Sequence, residues 1–391
     1  MEKLKKEFEE GFGRKPEYLF SAPGRVELSG NHTDHQHGKV LAAAINLDIK
    51  AAVALNNKDI IFLKTHNHGE SIIKLDDLEI KENEIGETSS IVRGVASRIK
   101  ELTGKSIGFD VFTKGYVPVG SGLSSSAAFE VLMGTIINTL CKCGLTPIEI
   151  AQIGQYAENV YFGKPCGLMD QMASSVGNII SIDFMDTKNP KVESINFDFS
   201  KSGYDLLVIE SGADHANLTS EYASIIDELK KVCSVFNKNW LREIPEKEFY
   251  SKISEVRKIA GDRGVLRAIH VYNENKRVEK QIAALKNNDF ELYLQYAKES
   301  GRASWMLLQN VIPTGAAVKQ ELAFSLTVVE KILNGRGICR VQGGGFAGTL
   351  QAFVKKEETN NFINEIEKIL GKGSCHLVSI RKEGGILENI L

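Results

Sequence analysis

The chain has 391 residues, more than a single hydrophobic core usually serves, so two domains are expected. Hydrophobic residues make up 42% and charged residues 25%, which excludes a disordered or collagen-like chain. Lys plus Arg number 48 against 50 Asp plus Glu, a net charge of -2 that gives no reason to expect nucleic acid or an anionic membrane as partner.

The charged opening Met1-Glu2-Lys3-Leu4-Lys5 does not read as a signal peptide. No apolar run reaches the roughly 18 residues of a membrane span. The nearest, Val40 to Leu55, is broken by Asn46, Asp48 and Lys50, and a cytoplasmic protein is expected. Among the cysteines only Cys141 and Cys143 lie close together, which makes no zinc ribbon.

Residues 18–29 and 38–64 alternate in the manner of an antiparallel sheet. Ser89 to Leu102 reads as a helix with Ile91, Val92, Val95, Ile99 and Leu102 on one stripe, and Ile107 to Thr113 as a strand. A long apolar helix follows through Ala127, Val131 and Leu140, and Pro147 opens another at its first turn. Tyr204 to Glu210 is a strand, and residues 217–335 read as successive helices. The end reads as strand (337–341), glycine loop (343–345), strand (348–354), helix (357–370) and strand (375–380). Without a low-complexity linker the halves, 1–195 and 196–391, are expected to share an interface, where ligand sites are favoured.

Between a strand and the apolar helix lie Gly120, Ser121, Gly122, Leu123, Ser124, Ser125 and Ser126. Glycines allow close backbone approach, and N–H groups at a helix start form an anion site. The serines add hydroxyl donors and a possible Mg²⁺ ligand; a tight turn with a Ser N-cap is the simpler alternative. The loop is neither a Walker A sequence, which needs a Lys-Ser/Thr ending, nor a complete G-x-G-x-x-G.

Residues 24–38 crowd hydrogen-bonding groups together: Arg25, Glu27, Asn31, His32, Thr33, Asp34, His35 and His37. A metal site from the three histidines is disfavoured, because an extended segment points them in different directions and no H-E-x-x-H helix supports them. A polyhydroxylated ligand suits this set better. Glu158 and Asp170 then stand twelve apart, separated by helix-breaking Gly and Pro, with Asp170 in the first turn of a new helix. Glu158 could ligate a metal that bridges nucleotide phosphates.

Together these motifs resemble galactokinases, within the superfamily of galactokinase, homoserine, mevalonate and phosphomevalonate kinases (GHMP kinases). The resemblance rests on Ala22-Pro-Gly-Arg-Val26, Gly30 through Asp34, residues 120–128, Ala157-Glu158, residues 165–171 and Gly343-Gly-Gly-Phe346. It implies an α+β fold with an N-terminal domain of the ribosomal-protein-S5 type, a C-terminal ferredoxin-like domain and a site in the cleft between them. It also implies ATP-dependent phosphorylation of a sugar's anomeric hydroxyl. On the matching positions Asp170 would be the base and Arg25 its partner. Residues 120–126 would wrap the phosphates, and Ser126 and Glu158 would hold Mg²⁺. Asn31, His32, Thr33, Asp34 and Tyr222 would line the sugar. A monosaccharide and ATP are the implied partners, and a monomer or weak homodimer the assembly.

The family pattern G-R-V-N-L-I-G-E-H-T-D-Y is altered here at Glu27, Ser29, Asn31 and His35. Asn31 is neutral and can donate as well as accept, which would suit a sugar 6-carboxylate. Because most of the pattern elsewhere is that of galactokinases, galactose ranks first and galacturonate second. With Arg25, Ser126, Glu158 and Asp170 all present, a non-catalytic sugar sensor on the same scaffold ranks below both.

Overall fold

In the computed structural model, which describes residues 2–66, 69–118, 122–213 and 218–391, the alternating runs of the first third become sheet. Helix α1 (Glu2–Phe12) precedes β1 (Tyr18–Ser29), β2 (Lys39–Leu55), β3 (Ile60–Thr65) and β4 (Gly69–Lys74). Then come α2 (Thr88–Thr103), β5 (Phe109–Gly115), α3 (Ser125–Leu140), α4 (Pro147–Tyr156), α5 (Met169–Val176), β6 (Ile179–Asp183) and β7 (Lys191–Ile195). The second half holds β8 (Tyr204–Glu210), α6 (Thr219–Ser234), α7 (Glu246–Ser251), α8 (Ile253–Lys286), α9 (Phe290–Ala303) and α10 (Glu321–Leu333). It ends with β9 (Gly337–Val341), β10 (Thr349–Lys355), α11 (Thr359–Leu370), β11 (Cys375–Val378) and β12 (Ile386–Ile390).

Two sheets result. The first has eight strands, in the order β12-β1-β2-β5-β3-β4, with β6 pairing β2 and β7 pairing β6. The second has four antiparallel strands in the order β11-β8-β10-β9, the order of a ferredoxin-like βαββαβ unit whose first crossover has grown into several helices. The last strand departs from a division at 195: β12 leaves the second half and pairs β1 in the first sheet. β11 also stops short of the expected 380, and Ile380 bridges Ile45 of the first half instead. One apolar core runs through both halves, from Val26, Leu41 and Val131 to Tyr204, Phe290 and Phe353.

Local chemistry explains the elements that frame the cleft. Thr146 caps α4 in a reciprocal box with Glu149, and Pro147 occupies the first turn, where its missing N–H costs nothing. α5 is short but anchored, with Met169, Met172 and Ala173 packed on Val40, Ala42, Ile180 and Ile182. In α8, Gly261 takes φ 75° and ψ 176°, which breaks the helix and re-aims its longer second part along the first domain.

Candidate active site

β1 delivers the first functional group. Its pairing with β2 shifts register between Pro23 and Arg25 and again between Glu27 and Ser29, so irregular backbone flanks the segment that carries Arg25 and Glu27. Two residues apart on a strand, these side chains share a face, while Val26 between them enters the core. Arg25 Nε donates to Asp170 Oδ1 and Nη2 to Oδ2, each at 2.7 Å, a two-pronged charge-assisted pair. Its Nη1 donates to the Gly122 carbonyl at 2.5 Å, which ties the pair to the glycine-serine loop. Burial alone would raise the Asp170 carboxyl, but Arg25 and the Ser124 hydroxyl outweigh it and hold it below its ordinary value of 3.8.

Of the loop residues expected at a nucleotide, Gly120 and Ser121 lie outside the described residues. Gly122 has φ +66°, and a Cβ there would press on the Thr349 hydroxyl. Leu123 is buried in the core, so only its backbone could face a ligand. The Ser124 hydroxyl donates to the Asp170 carboxylate. Ser125 and Ser126 form the first turn of α3, where backbone N–H groups have no partner within the helix. Glu158 lies in a π-helical turn after α4 and is buried. Its Oε2 accepts from Gln171 Nε2 at 3.0 Å, and the same amide donates to Glu130 at 2.9 Å. Burial, and then the nearby Glu158, push the Glu130 carboxyl well above its ordinary range.

The polar motif after β1 meets the glycine loop between β9 and β10. Both amide hydrogens of Asn31 are committed, one to Glu27 Oε1 at 3.1 Å and one to the Gly343 carbonyl at 2.7 Å. Its oxygen accepts from Asn310 at 2.8 Å and Ser304 at 3.1 Å. His32 Nε2 lies 2.8 Å from the Gly344 carbonyl, and His32 Nδ1 lies 3.2 Å from His35 Nε2. A carbonyl only accepts, so His32 carries its proton on Nε2 and His35 donates to the free Nδ1. Burial lowers both imidazoles, to about 4 and about 3, so this relay is neutral at pH 7.

These groups surround a cavity of about 280 Å³ whose walls include Arg25, Glu27, Asn31, Asp34, Asp170 and Tyr222. His32 also lines it. Tyr222 donates its hydroxyl to the Gly345 carbonyl at 2.9 Å, and burial pushes its phenol up to about 12. Burial raises Asp34 to about 6, although the backbone N–H of His35 opposes it. Thr33 is a correction: its hydroxyl bonds the Gly30 and Lys39 carbonyls at 2.9 and 2.6 Å, and the fully buried side chain is absent from the cavity wall. It holds the turn.

A second layer was invisible to sequence reasoning. Glu274 of α8 accepts from Ser29 and from Gly30 N, both at 3.2 Å, and Arg277, His270 and Arg340 overcome burial to hold it at about 2. His270 donates to the Asn31 carbonyl at 2.9 Å. Arg340, fully buried, donates to Glu27 Oε1 at 2.9 Å and to the Leu28 carbonyl at 2.8 Å.

Residues 6–55 match the galactokinase galactose-binding signature, and residues 90–178 match the GHMP kinases N terminal domain. A galactokinase of Clostridium acetobutylicum is 32% identical over 397 aligned positions, covering 96% of both chains. The chain belongs to the galactokinase family. Another galactokinase, from Streptomyces coelicolor, is 31% identical over 89% of this chain and 87% of its own. The crystal structure of Lactococcus lactis galactokinase complexed with galactose superposes with a TM-score of 0.83 at 25% identity, covering 98% of this chain and 99% of that one. A mevalonate kinase structure, 17% identical with a TM-score of 0.66, shares the fold.

Proposed function

We propose that this member of the galactokinase family is an ATP-dependent sugar 1-kinase that phosphorylates the anomeric hydroxyl of D-galactose. The observation that carries this reading is the two-pronged Arg25–Asp170 pair at the wall of a monosaccharide-sized cavity, beside the start of α3. The O1 oxygen of the sugar attacks the γ-phosphorus, the bond from that phosphorus to the bridging oxygen of ADP breaks, and the O1 proton passes to Asp170. The transition state is loose, so a weak base suffices and charge neutralisation by Arg25 matters more. The low Asp170 value keeps the carboxylate ionised and able to accept that proton.

The residues present fit Mg²⁺, which is usually held by one or two carboxylates and phosphate oxygens rather than by an all-protein cage. Glu158 is fixed through Oε2, and its Oε1 lies 3.5 Å from Lys164 Nζ. With the Ser126 hydroxyl it would hold the ion, which when bound neutralises the triphosphate. Both carboxyl groups of the Glu130–Glu158 pair are buried, so a cation beside them relieves their repulsion.

Galactose is favoured over galacturonate by the state of Asn31. Its amide hydrogens are already bonded, and one of their partners is the Glu27 carboxylate. Neither amide hydrogen of Asn31 is therefore free to bind a sugar 6-carboxylate. The test is ADP release with ATP, Mg²⁺ and a sugar panel, followed by product analysis at C1. Galactose is expected to turn over best, and a higher kcat/KM for galacturonate would overturn the assignment. Binding of sugar without ADP release would leave the sensor.

A further inference from the structure

A second cavity, of about 410 Å³, adjoins the sugar cavity. That is within the roughly 300–1,000 Å³ usual for small-molecule pockets. The two share Asp34, His35 and residues 165–167 as a common wall. At Gly167 the missing side chain leaves room for the Asp34 carboxylate, whose Oδ2 lies 2.3 Å from where a Cβ would sit, so there the wall consists of that one side chain against bare backbone.

The chemistry of the second chamber differs from that of the first. Leu168, Phe184, Ile226 and Trp240 make it largely apolar. His37 stacks on the Trp240 indole, with ring centroids 4.3 Å apart and planes 19° apart. Burial lowers the His37 pKa, so the stack is a neutral aromatic plate. Gln155, Thr187 and Lys230 add a few hydrogen-bonding groups. Among the described residues Lys230 is the only permanent cation in the lining, which suits neither a phosphate chain nor a second nucleotide. A pyranose ring has apolar C–H faces and a hydroxyl edge, and an aromatic plate with scattered donors and acceptors complements both.

We propose that the second chamber takes the non-reducing unit of a reducing disaccharide whose galactose end occupies the first, so that the chain phosphorylates glycosylated galactose as well as the free sugar. The inference rests on the sugar 1-kinase reading. The reaction is the same transfer: the anomeric hydroxyl at the reducing end is free, O1 bonds to the γ-phosphorus, ADP leaves, and the glycosidic bond stays intact.

The test uses the full-length protein, ATP and Mg²⁺ with galactose and three reducing disaccharides carrying glucose on O3, O4 or O6 of galactose. At least one disaccharide is expected to reach a kcat/KM within about tenfold of galactose. Trp240→Ala should lower that value by about tenfold or more while galactose turnover stays at the parent level. Binding is read independently. The chain has 2 tryptophans, so Trp305→Phe leaves Trp240 as the sole indole reporter. The productive disaccharide should change its fluorescence saturably, and galactose should not. Turnover of galactose with none of the disaccharides overturns the second chamber, as does a saturable Trp240 response to galactose alone. If neither class is phosphorylated, the kinase reading fails instead, and a saturable disaccharide-specific response still upholds the chamber while a flat one rejects it.

Discussion

Arg25 and Glu27 project from the same face of one strand, and each joins an arginine–carboxylate pair, yet the two pairs behave in opposite ways. Asp170 receives two hydrogen bonds from Arg25 and one from Ser124, and its carboxyl is held low. Glu27 receives a single Arg340 N–H and the Asn31 amide, and burial lifts it to about 7 despite Arg340 and Arg25. Exposure separates them: the Asp170 side chain is 33% exposed to the cleft, whereas that of Glu27 is 5% exposed. The number of donors and the remaining contact with water decide whether an ion pair stays charged, and the mere presence of an arginine does not. The first pair faces the cleft, and the second ties β9 to β1.

Removing the acid of the first pair should have the largest effect. Asp170→Ala is expected to cost about 10³-fold or more in kcat while ATP still binds, measured by steady-state kinetics and calorimetry. Near-normal kcat would make the two pairs equivalent and remove Asp170 from the reaction. Breaking the second pair should instead cost stability. Arg340→Met leaves Glu27 buried without its cation, an expected loss of about 3–5 kcal/mol in denaturant unfolding. A smaller loss at pH 5 than at pH 8 is expected, because a protonated Glu27 no longer needs the cation.

The pH dependence sharpens the contrast. Glu27 is raised from 4.5 to about 7, so between those values the folded chain keeps a proton that the unfolded chain has released. Its contribution to stability therefore falls as pH rises through that window. Asp170 acts in the opposite sense: its contribution is present above 3.8 and is lost as pH falls through the lowered value. Glu27→Gln should flatten the loss of melting temperature between pH 4.5 and 7 relative to the parent, and an unchanged slope would show that Glu27 is ionised in the fold. The smallest effect is expected at Thr33. Thr33→Val loses hydrogen bonds to the Gly30 and Lys39 carbonyls, about 1 kcal/mol, with KM for galactose unchanged. A large rise in KM would restore Thr33 to the sugar wall.

The sequence revealed the first pair better than the second for a physical reason. Arg25 and Asp170 stand in motifs that resemble those of galactokinases, and that resemblance is what pairs them, while the strands and helices that carry them follow hydrophobic period. Glu274 and Arg340 carry no such mark, since a carboxylate in a long helix or an arginine in a strand normally reads as a solvated face. Only the tertiary approach of α8 and β9 to β1 turns them inward. The partners of Thr33 and Ser124 were not legible, because a hydroxyl serves a carbonyl, a carboxylate or a phosphate equally well, and geometry alone chooses among them.

The pairing of Ile386–Ile390 with Tyr18–Ser21 has a consequence for biosynthesis. While a ribosome is still making the preceding residues, the strand that bears Arg25 keeps a bare backbone border at Tyr18–Ser21, open to any other extended segment nearby. Completion of the first sheet waits for residues 386–390, so a nascent chain stalled before 386 would carry the Arg25–Asp170 pair on an unfinished scaffold.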